Sequence, residues 1–317
     1  MSDRYGGLDD TFHEGELLVQ DRTGEAAIAA QVGAGISDLV IPGARGFLAA
    51  QRMVAIASVD EAGTPWASVL LGAPGFATAT GGRSVIVDLA KAIVDPADPV
   101  RSNLRLDGPI GLLAIELGTR RRLRINGRIS RLTETAIEVS VREAYPNCPK
   151  YIQRRRLAET AGVAAGEEAA SGTALDAARE QLIARADTLF VASQHPSRGA
   201  DVSHRGGEPG FVRALDATTL RVPDYRGNSL FNTLGNFAVA PAAGLAILDF
   251  ERARILQLAG HVVLHFDLPE DPGQPSGGTG RYWDLHLSRW IERSLPLGLR
   301  WQLLDTSRYN PAALRSP

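Results

Sequence analysis

The stretch Asp201-Val202-Ser203-His204-Arg205-Gly206-Gly207-Glu208-Pro209-Gly210-Phe211 has an earlier counterpart in Trp66-Ala67-Ser68-Val69-Leu70-Leu71-Gly72-Ala73-Pro74-Gly75-Phe76. The serine, the glycine and the Pro-Gly-Phe tripeptide recur at a constant separation of 135 positions, as does Ala57-Ser58 with Ala192-Ser193. Further on, Asn103 matches Asn236, Gly111-Leu112 matches Gly244-Leu245 and Gly127 matches Gly260, now 133 positions apart. Two constant offsets and a shared tripeptide, arising together, mark an internal repeat, and a repeat sets the architecture before any element is assigned. The chain is read as a first copy with flanking helices over residues 1–160, a connector and helix over 161–187, and a second copy over 188–317 with a docked tail.

Within each copy the local pattern is that of strands. Met53 to Ser58, Ser84 to Asp88, Gly111 to Leu117 and Arg122 to Asn126 alternate or run apolar, and Glu61-Ala62-Gly63-Thr64-Pro65 and Thr80-Gly81-Gly82-Arg83 supply turn residues between them. The second copy repeats the pattern over Thr188 to Ser193, Thr219 to Pro223, Gly244 to Phe250 and Arg254 to Ala259. Short strands at close spacing predict an antiparallel barrel or sandwich rather than a parallel α/β sheet. Helices are expected over Pro42 to Gln51, Ile137 to Ala144, Lys150 to Ala161 and Leu175 to Ala186. Loops are expected over 162–174 and Pro269 to Gly280, and the stretch from Arg281 onward, with three of the four tryptophans, is expected to dock onto the barrels. The fold class is thus mainly β with peripheral helices.

Composition narrows the function. The 317 residues are 44% hydrophobic and 22% charged, which excludes a stapled peptide or a disordered chain. A net charge of −2 gives no global attraction to nucleic acid or an anionic membrane. The longest apolar run, Phe237 to Leu248, holds Pro241 and Gly244 and is far shorter than the ~20 residues that span a bilayer; it reads as buried strand and turn. Asp3, Asp9, Asp10 and Glu14 stand where a signal peptide needs basic residues, and Cys148 is the single cysteine, so a reducing, cytoplasmic setting is expected. No cysteine-rich metal site can form, and no metal is expected.

Where the copies diverge, the second gains polarity. Ser68-Val69-Leu70-Leu71 becomes Ser203-His204-Arg205-Gly206, and the next strand continues into Pro223-Asp224-Tyr225-Arg226-Gly227-Asn228-Ser229-Leu230-Phe231-Asn232-Thr233-Leu234-Gly235-Asn236. Guanidinium, amide, hydroxyl and backbone N–H groups together can hold a phosphate. The same residue types also cap helices and shape turns, so Asn228 and Ser229 each admit a structural role. Arg205 and Arg226 are alternatively surface ion-pair partners, and His204 a histidine satisfied in the core. Gln257 is an amide in the aliphatic strand Ile255-Leu256-Gln257-Leu258-Ala259, where burial demands a partner. Lys150 is one of two lysines in a chain that otherwise uses arginine, and is either a required ammonium or a surface residue before a helix. Cys148 is a small apolar filler or a thiol of functional use.

On these residues the second copy resembles the FMN-binding split barrels related to pyridoxamine 5′-phosphate oxidase. The resemblance rests on Asp201 to Gly207, Pro209 to Val212, Pro223 to Asn236 and Gln257-Leu258-Ala259-Gly260, and Asn147 to Arg155 resembles a segment of a two-copy branch. It implies tandem split β-barrels with FMN in the cleft between them. Ser203, His204, Arg205 and Gly206 would meet the ring and phosphate, Pro223, Asp224 and Tyr225 the ribityl chain, and Asn228 and Ser229 would stand where the oxidase grips phosphate. Gln257 would meet the flavin ring, and Arg226, Asn232 and Lys150 complete the candidate set. Asn228-Ser229 lacks the two cations of the oxidase, so phosphate must rest on Arg205, Arg226 or a residue from elsewhere.

A fused pair can build within one chain the interface that single barrels build by dimerising. One cofactor site per chain is expected, formed mainly by the second copy and closed by Asn147 to Gln153 or by a homodimer partner. An FMN-dependent oxidoreductase acting on a small molecule is the leading expectation, with no catalytic acid–base residue visible. The alternatives are a non-catalytic carrier or sensor, or a barrel that has exchanged FMN for deazaflavin, haem or pyridoxal phosphate. Phosphate-loop, His-Glu-x-x-His and Gly-x-Ser-x-Gly motifs are missing from the sequence.

Overall fold

The computed structural model describes residues 11–159, 169–295 and 299–311. Asp3, Asp9, Asp10 and most of the segment 162–174 lie outside the described residues. The first unit has strands β1 (Met53–Val59), β2 (Pro65–Gly72), β3 (Ala77–Thr78), β4 (Ser84–Asp88), β5 (Ala92–Ile93), β6 (Pro109–Glu116), β7 (Arg121–Leu132) and β8 (Ala136–Pro146). Then come β9 (Arg154–Glu159) and β10 (Ala170–Gly172). The second unit has β11 (Thr188–His195), β12 (Gly199–Gly206), β13 (Arg213–Asp216), β14 (Thr219–Pro223), β15 (Ala242–Asp249), β16 (Arg254–His265) and β17 (Tyr282–Ser294), and β18 (Leu299–Asp305) follows. Helices α1 (Glu14–Thr23), α2 (Ala26–Gly33), α3 (Pro42–Ala49), α4 (Val100–Asn103), α5 (Ala177–Arg185) and α6 (Asn232–Val239) lie around the sheets.

The two sheets share one topology. The first runs β3-β4-β8-β7-β6-β1-β2-β5 and the second β13-β14-β17-β16-β15-β11-β12, so each strand of the second unit takes the place of a strand in the first. Each sheet curls around its own apolar cluster, Phe76, Ile110 and Leu112 among the residues of one, Trp283, Leu220 and Leu256 of the other. The fold is mainly β with peripheral helices, of the split-barrel type.

The repeat extends to registers and single hydrogen bonds. Ile56 faces Ser68 as Val191 faces Ser203. Asn103 Nδ2 donates to Ser58 Oγ at 3.0 Å, and Asn236 Nδ2 donates to Ser193 Oγ at 2.9 Å. A register shift falls just before Gly127 in one copy and just before Gly260 in the other.

The barrels meet across a pseudo-twofold axis, β6 against β12 and β15 against β2. Two matched glycines allow the contact. A Cβ on Gly111 would lie 2.9 Å from the Asp201 Cα, and one on Gly244 only 2.4 Å from the Pro65 carbonyl oxygen. Around them Ala55, Ala67, Val69 and Leu113 pack with Phe190, Ala192, Val202 and Ala246 in one buried cluster drawn from both units.

Three local expectations are corrected. Ile137 to Ala144 is not helical but part of β8, because Ile137, Val139 and Val141 are buried and alternate with more exposed residues at the period of a strand. The helix expected over Lys150 to Ala161 is likewise absent from its described part, 150–159; Arg154–Glu159 forms β9 and pairs with β18, and 160–161 lie outside the described residues. The stretch from Arg281 is no peripheral tail, since β17 lies between β16 and β14 within the second sheet. The apolar run from Phe237 begins in the last turn of α6 before entering β15. Helices α1 and α2 were unforeseen; α1 packs on α6 and so supports the wall of the cleft described next.

Candidate functional site

Sequence brings the pieces of one cleft from four places. Strand β12 presents Ser203, His204, Arg205 and Gly206; the end of β14 presents Pro223, Asp224 and Tyr225; the following loop and α6 present Asn228, Ser229, Phe231, Asn232 and Thr233. The first unit supplies Arg122 and Arg124 from β7 and Asn147, Cys148, Lys150 and Tyr151 from the segment after β8. Together they enclose ≈ 800 Å³, part of it open to solvent, within the size of small-molecule sites. Aromatic walls come from Phe211, Phe231 and the Tyr151–Tyr225 pair, whose ring centroids are 5.0 Å apart. Ser229 and Phe231 both take positive φ (63° and 61°), uncommon for non-glycine residues and often found where a site imposes its geometry.

Charge in the cleft is unbalanced. Arg205 Nη1 donates to Asp224 Oδ1 at 2.7 Å, and Arg281 Nε donates to Asp224 Oδ2 at 2.9 Å. Arg124 pairs with Asp201 at 3.1 Å and donates to Tyr145 Oη and to Asn232 Oδ1. Burial works against the Arg124 charge, but Asp201, Tyr145 and Glu143 together outweigh it and raise its pKa. Arg122 has no carboxylate partner among the described residues. It donates to the Cys148 carbonyl at 2.7 Å and approaches the His204 carbonyl and Nδ1. Burial, then Arg124 and Arg205, push its pKa down to about 9. Lys150 adds another cation, its Nζ 5.6 Å from the Tyr309 ring centroid.

Several donors in the cleft have no partner. His204 is buried and uncharged, its pKa held well below the ordinary value by burial, Arg122 and Arg205. Arg122 donates toward its Nδ1, so the proton sits on Nε2, which is buried and unpaired. Arg124 Nε, Arg205 Nε and Asn147 Nδ2 are also buried without partners. Unpaired buried donors are costly, and this group of cleft residues is chemically suited to an anion with neighbouring acceptor atoms.

The sequence-selected residues separate into one group and two outliers. Ser203, His204, Arg205, Gly206, Pro223, Asp224, Tyr225, Asn228, Ser229, Asn232 and Lys150 all line the cleft. Arg226 does not: its side chain is exposed, and only its carbonyl reaches inward, accepting from Tyr151 Oη at 3.0 Å. Gln257 is fully buried elsewhere, donating to the Ala67 carbonyl at 2.8 Å and to Ser68 Oγ, and accepting from Arg293 Nε.

The pseudo-twofold explains the Gln257 correction. Strand β16 faces the mate of the cleft, while β7 of the first unit faces the cleft itself. Subtracting 133 from Gln257 gives Arg124, and subtracting 135 from Ser203 gives Ser68, so Gln257 and Ser68 make in the mate the contact that Arg124 and Ser203 frame in the cleft. That mate is closed by a buried ion pair between Arg293 and Asp98, with Ser68 donating to Asp98. Arg122 and Arg124 were missed, although the repeat offset applied to Gln257 points at the alternating Arg122-Leu123-Arg124.

A separate trio, His13, Glu14 and His195, brings three potential metal-ligating atoms together. Both ring Nδ1 atoms accept backbone N–H bonds, from Gly15 at 3.2 Å and from Ser197 and Arg198 at 3.2 Å. That places a proton on each Nε2, the atom a metal would need, and His195 Nε2 instead bonds Glu14 at 3.0 Å.

The chain matches no protein-family model and no curated protein. Among solved structures it is similar to HupZ of Group A Streptococcus, at 14% identity and TM-score 0.29, over 37% of this chain and 92% of that one. It is also similar to a candidate pyridoxamine 5′-phosphate oxidase of Lactobacillus delbrueckii, at 12% identity and TM-score 0.31, over 38% and 94%. An F420 reductase gives 17% identity and TM-score 0.26, over 35% and 94%. Among the described residues no helix is long and apolar enough to cross a membrane.

Proposed function

We propose that the chain binds one flavin nucleotide, FMN, in this cleft and works as an FMN-dependent oxidoreductase on a small molecule. The observation that carries the reading is the combination, in one aromatic-walled cleft, of Arg122, Arg124, Arg205 and Lys150 facing two carboxylates, with unpaired buried donors at His204, Asn147 and the two arginine Nε atoms. Such a surface suits a molecule with a planar face, an anionic end and acceptor atoms along its edge. Arg122, Lys150, Asn147 and Asn228 would hold the phosphate, and Tyr225, Phe211 and Tyr151 would line the flat ring. His204 Nε2–H and Arg205 would donate to ring oxygens, where they favour negative charge. When bound, the flavin supplies the redox chemistry. The protein's part is to orient it, exclude water and donate hydrogen bonds from fixed positions. A second hollow of ≈ 1210 Å³, its open mouth included, shares Arg122 and Asn147 with the cleft and is walled by Leu39, Ile41, Phe47 and Pro149. It is the approach we assign to the substrate.

The closed mate supports a stoichiometry of one flavin per chain, since Asp98, Arg293 and Gln257 fill the second position. Purification without additives followed by a visible spectrum and an FMN titration is the test. A flavin band and one equivalent bound per chain are expected; a haem spectrum, or no binding of FMN, would overturn the reading. Turnover with a reduced nicotinamide and an electron acceptor separates an enzyme from a carrier, and bound FMN without any reduction would establish the carrier.

A further inference from the structure

Because the two units share one topology, each barrel is a control for the other. In the second, the buried rings of Phe237 and Trp283 lie 5.4 Å apart and fill one end of the barrel. Registers identify their counterparts. Val87 faces Ile137 as Val222 faces Trp283, and Leu104 follows Asn103 as Phe237 follows Asn236, the two asparagines making the same bond to serine. Aliphatic Leu104 and Ile137 thus stand where the twin has two aromatic rings. The space they leave is not refilled. A hollow of ≈ 940 Å³, its mouth included, is lined by Ile56, Leu70, Leu89, Val94, Val100, Leu104 and Ile137, with Arg101 and Glu134 at the rim.

The same comparison shows the two barrel mouths with opposite chemistry. Leu70, Leu89 and Val100 line the hollow at the positions where Arg205, Asp224 and Thr233 line the polar cleft. None of the buried unpartnered polar atoms found among the described residues belongs to its lining. We propose that the hollow of the first barrel is a binding site for a compact aromatic molecule of about the size of indole or naphthalene. The class of occupant follows from the twin, where the matching space is filled by an indole and a phenyl ring, and from walls that offer aliphatic surface but no buried hydrogen-bonding group. Arg101 and Glu134 are exposed at the mouth, so a single small polar substituent on the ring system can point outward between them.

The inference stands apart from the flavin reading and is tested with 1-naphthol on the full-length protein by calorimetry. Naphthol should bind once per chain, and FMN should not displace it. The double variant Leu104→Phe, Ile137→Trp installs the residues of the twin and should weaken naphthol at least tenfold while FMN affinity stays within twofold. Should that variant fail to fold, Val94→Asp, a half-buried position on the wall, should weaken naphthol by a similar factor. Absence of naphthol binding, displacement by FMN, or affinity unchanged by a folded filling variant and by Val94→Asp would each overturn the proposal.

Discussion

Arg122→Met should raise the stability of the ligand-free protein while weakening FMN, two effects of opposite sign from one substitution. The guanidinium has no carboxylate partner among the described residues, and its pKa falls from 12.5 to about 9. At about 1.4 kcal/mol per pH unit that is roughly 5 kcal/mol against the charged form; solvent reaching the partly exposed side chain reduces it to about 2–3 kcal/mol. Methionine keeps the length of the side chain and removes the charge, at the expense of the bonds to the Cys148 and His204 carbonyls, about 1 kcal/mol each. The balance is a gain of up to about 1 kcal/mol, or ~2 °C in Tm. Binding moves the other way, because a lost charged hydrogen bond of about 1.5–3 kcal/mol weakens an anion roughly 10- to 150-fold. Differential scanning fluorimetry of the apo protein and quenching of FMN fluorescence read the two quantities. Arg121→Met is the control: that side chain is exposed and rests on Phe47, 4.7 Å from its ring centroid, and it should change neither value appreciably. If Arg122→Met destabilises the apo protein and leaves FMN affinity intact, Arg122 is a structural residue and the charge argument for the cleft is wrong.

Arg293→Met leaves the Asp98 carboxylate buried without its cation and should cost about 3–5 kcal/mol in urea unfolding, yet FMN should still bind once per chain; selective loss of FMN from a folded variant would place the site in the wrong cleft. Gly244→Ala forces a Cβ to within 2.4 Å of the Pro65 carbonyl oxygen and should destabilise by at least ~2 kcal/mol, whereas a neutral effect would mean the barrels can separate freely. Glu16, which accepts from Asn232 Nδ2 behind the cleft wall, has its pKa raised to about 8 by burial, then by Glu143 and Asp201. The folded state therefore holds a proton that the unfolded state has lost, and stability should fall as pH rises from 6.5 to 8, by at most ~1.4 kcal/mol per unit from this group. His13, lowered to about 4 by burial and His195, acts in the opposite sense but only below pH 6.5, where the unfolded chain binds the extra proton. Thermal midpoints across that window should slope downward in the parent and much less in Glu16→Gln; equal slopes would remove Glu16 as the cause.

The architecture was legible because duplication leaves a numerical trace. Constant offsets of 135 and 133 survive where the individual residues diverge, and they match the registers of every paired strand between β1 and β7 except β5, which has no counterpart in the second sheet. The offset fails beyond β7, since the 266–280 loop lengthens the second copy, and this is why β17 read as a docked tail and β8 as a helix: with no partner in the alignment, their period of two had nothing to confirm it. The cleft was legible on its second-unit side and, through Lys150 and the segment after Asn147, on part of the other. Its β12 and α6 residues stand out as polar replacements of aliphatic ones, but the other wall comes from the first unit, whose Arg122 and Arg124 look like ordinary exposed strand residues until a second barrel is packed over them. Gln257 was drawn in because polarity on an aliphatic strand signals burial without saying which of two symmetry-related clefts is faced. The support of Asn232 by Glu16, and of Ser229 by Glu25, depends on contacts more than 200 positions apart and has no local signature.

The two clefts are two answers to one problem of burying charge. In the closed one, the anion belongs to the chain: Asp98 receives Arg293 and Ser68, and Gln257 bridges them, so the pocket is electrically complete. In the open one, the matching serine, Ser203, bonds to the Thr233 hydroxyl where Ser68 bonds to the Asp98 carboxylate, Asn147 stands in place of Arg293, and the anion supplied by Asp98 has no counterpart. Cations nevertheless accumulate there, at Arg122, Arg124 and Arg205, with Arg122 lacking any carboxylate partner among the described residues. A chain under selection for stability alone has no reason to keep an uncompensated guanidinium beside two others when its own second half demonstrates the neutral alternative. The asymmetry is intelligible if the missing anion is brought by a ligand to one cleft of each chain.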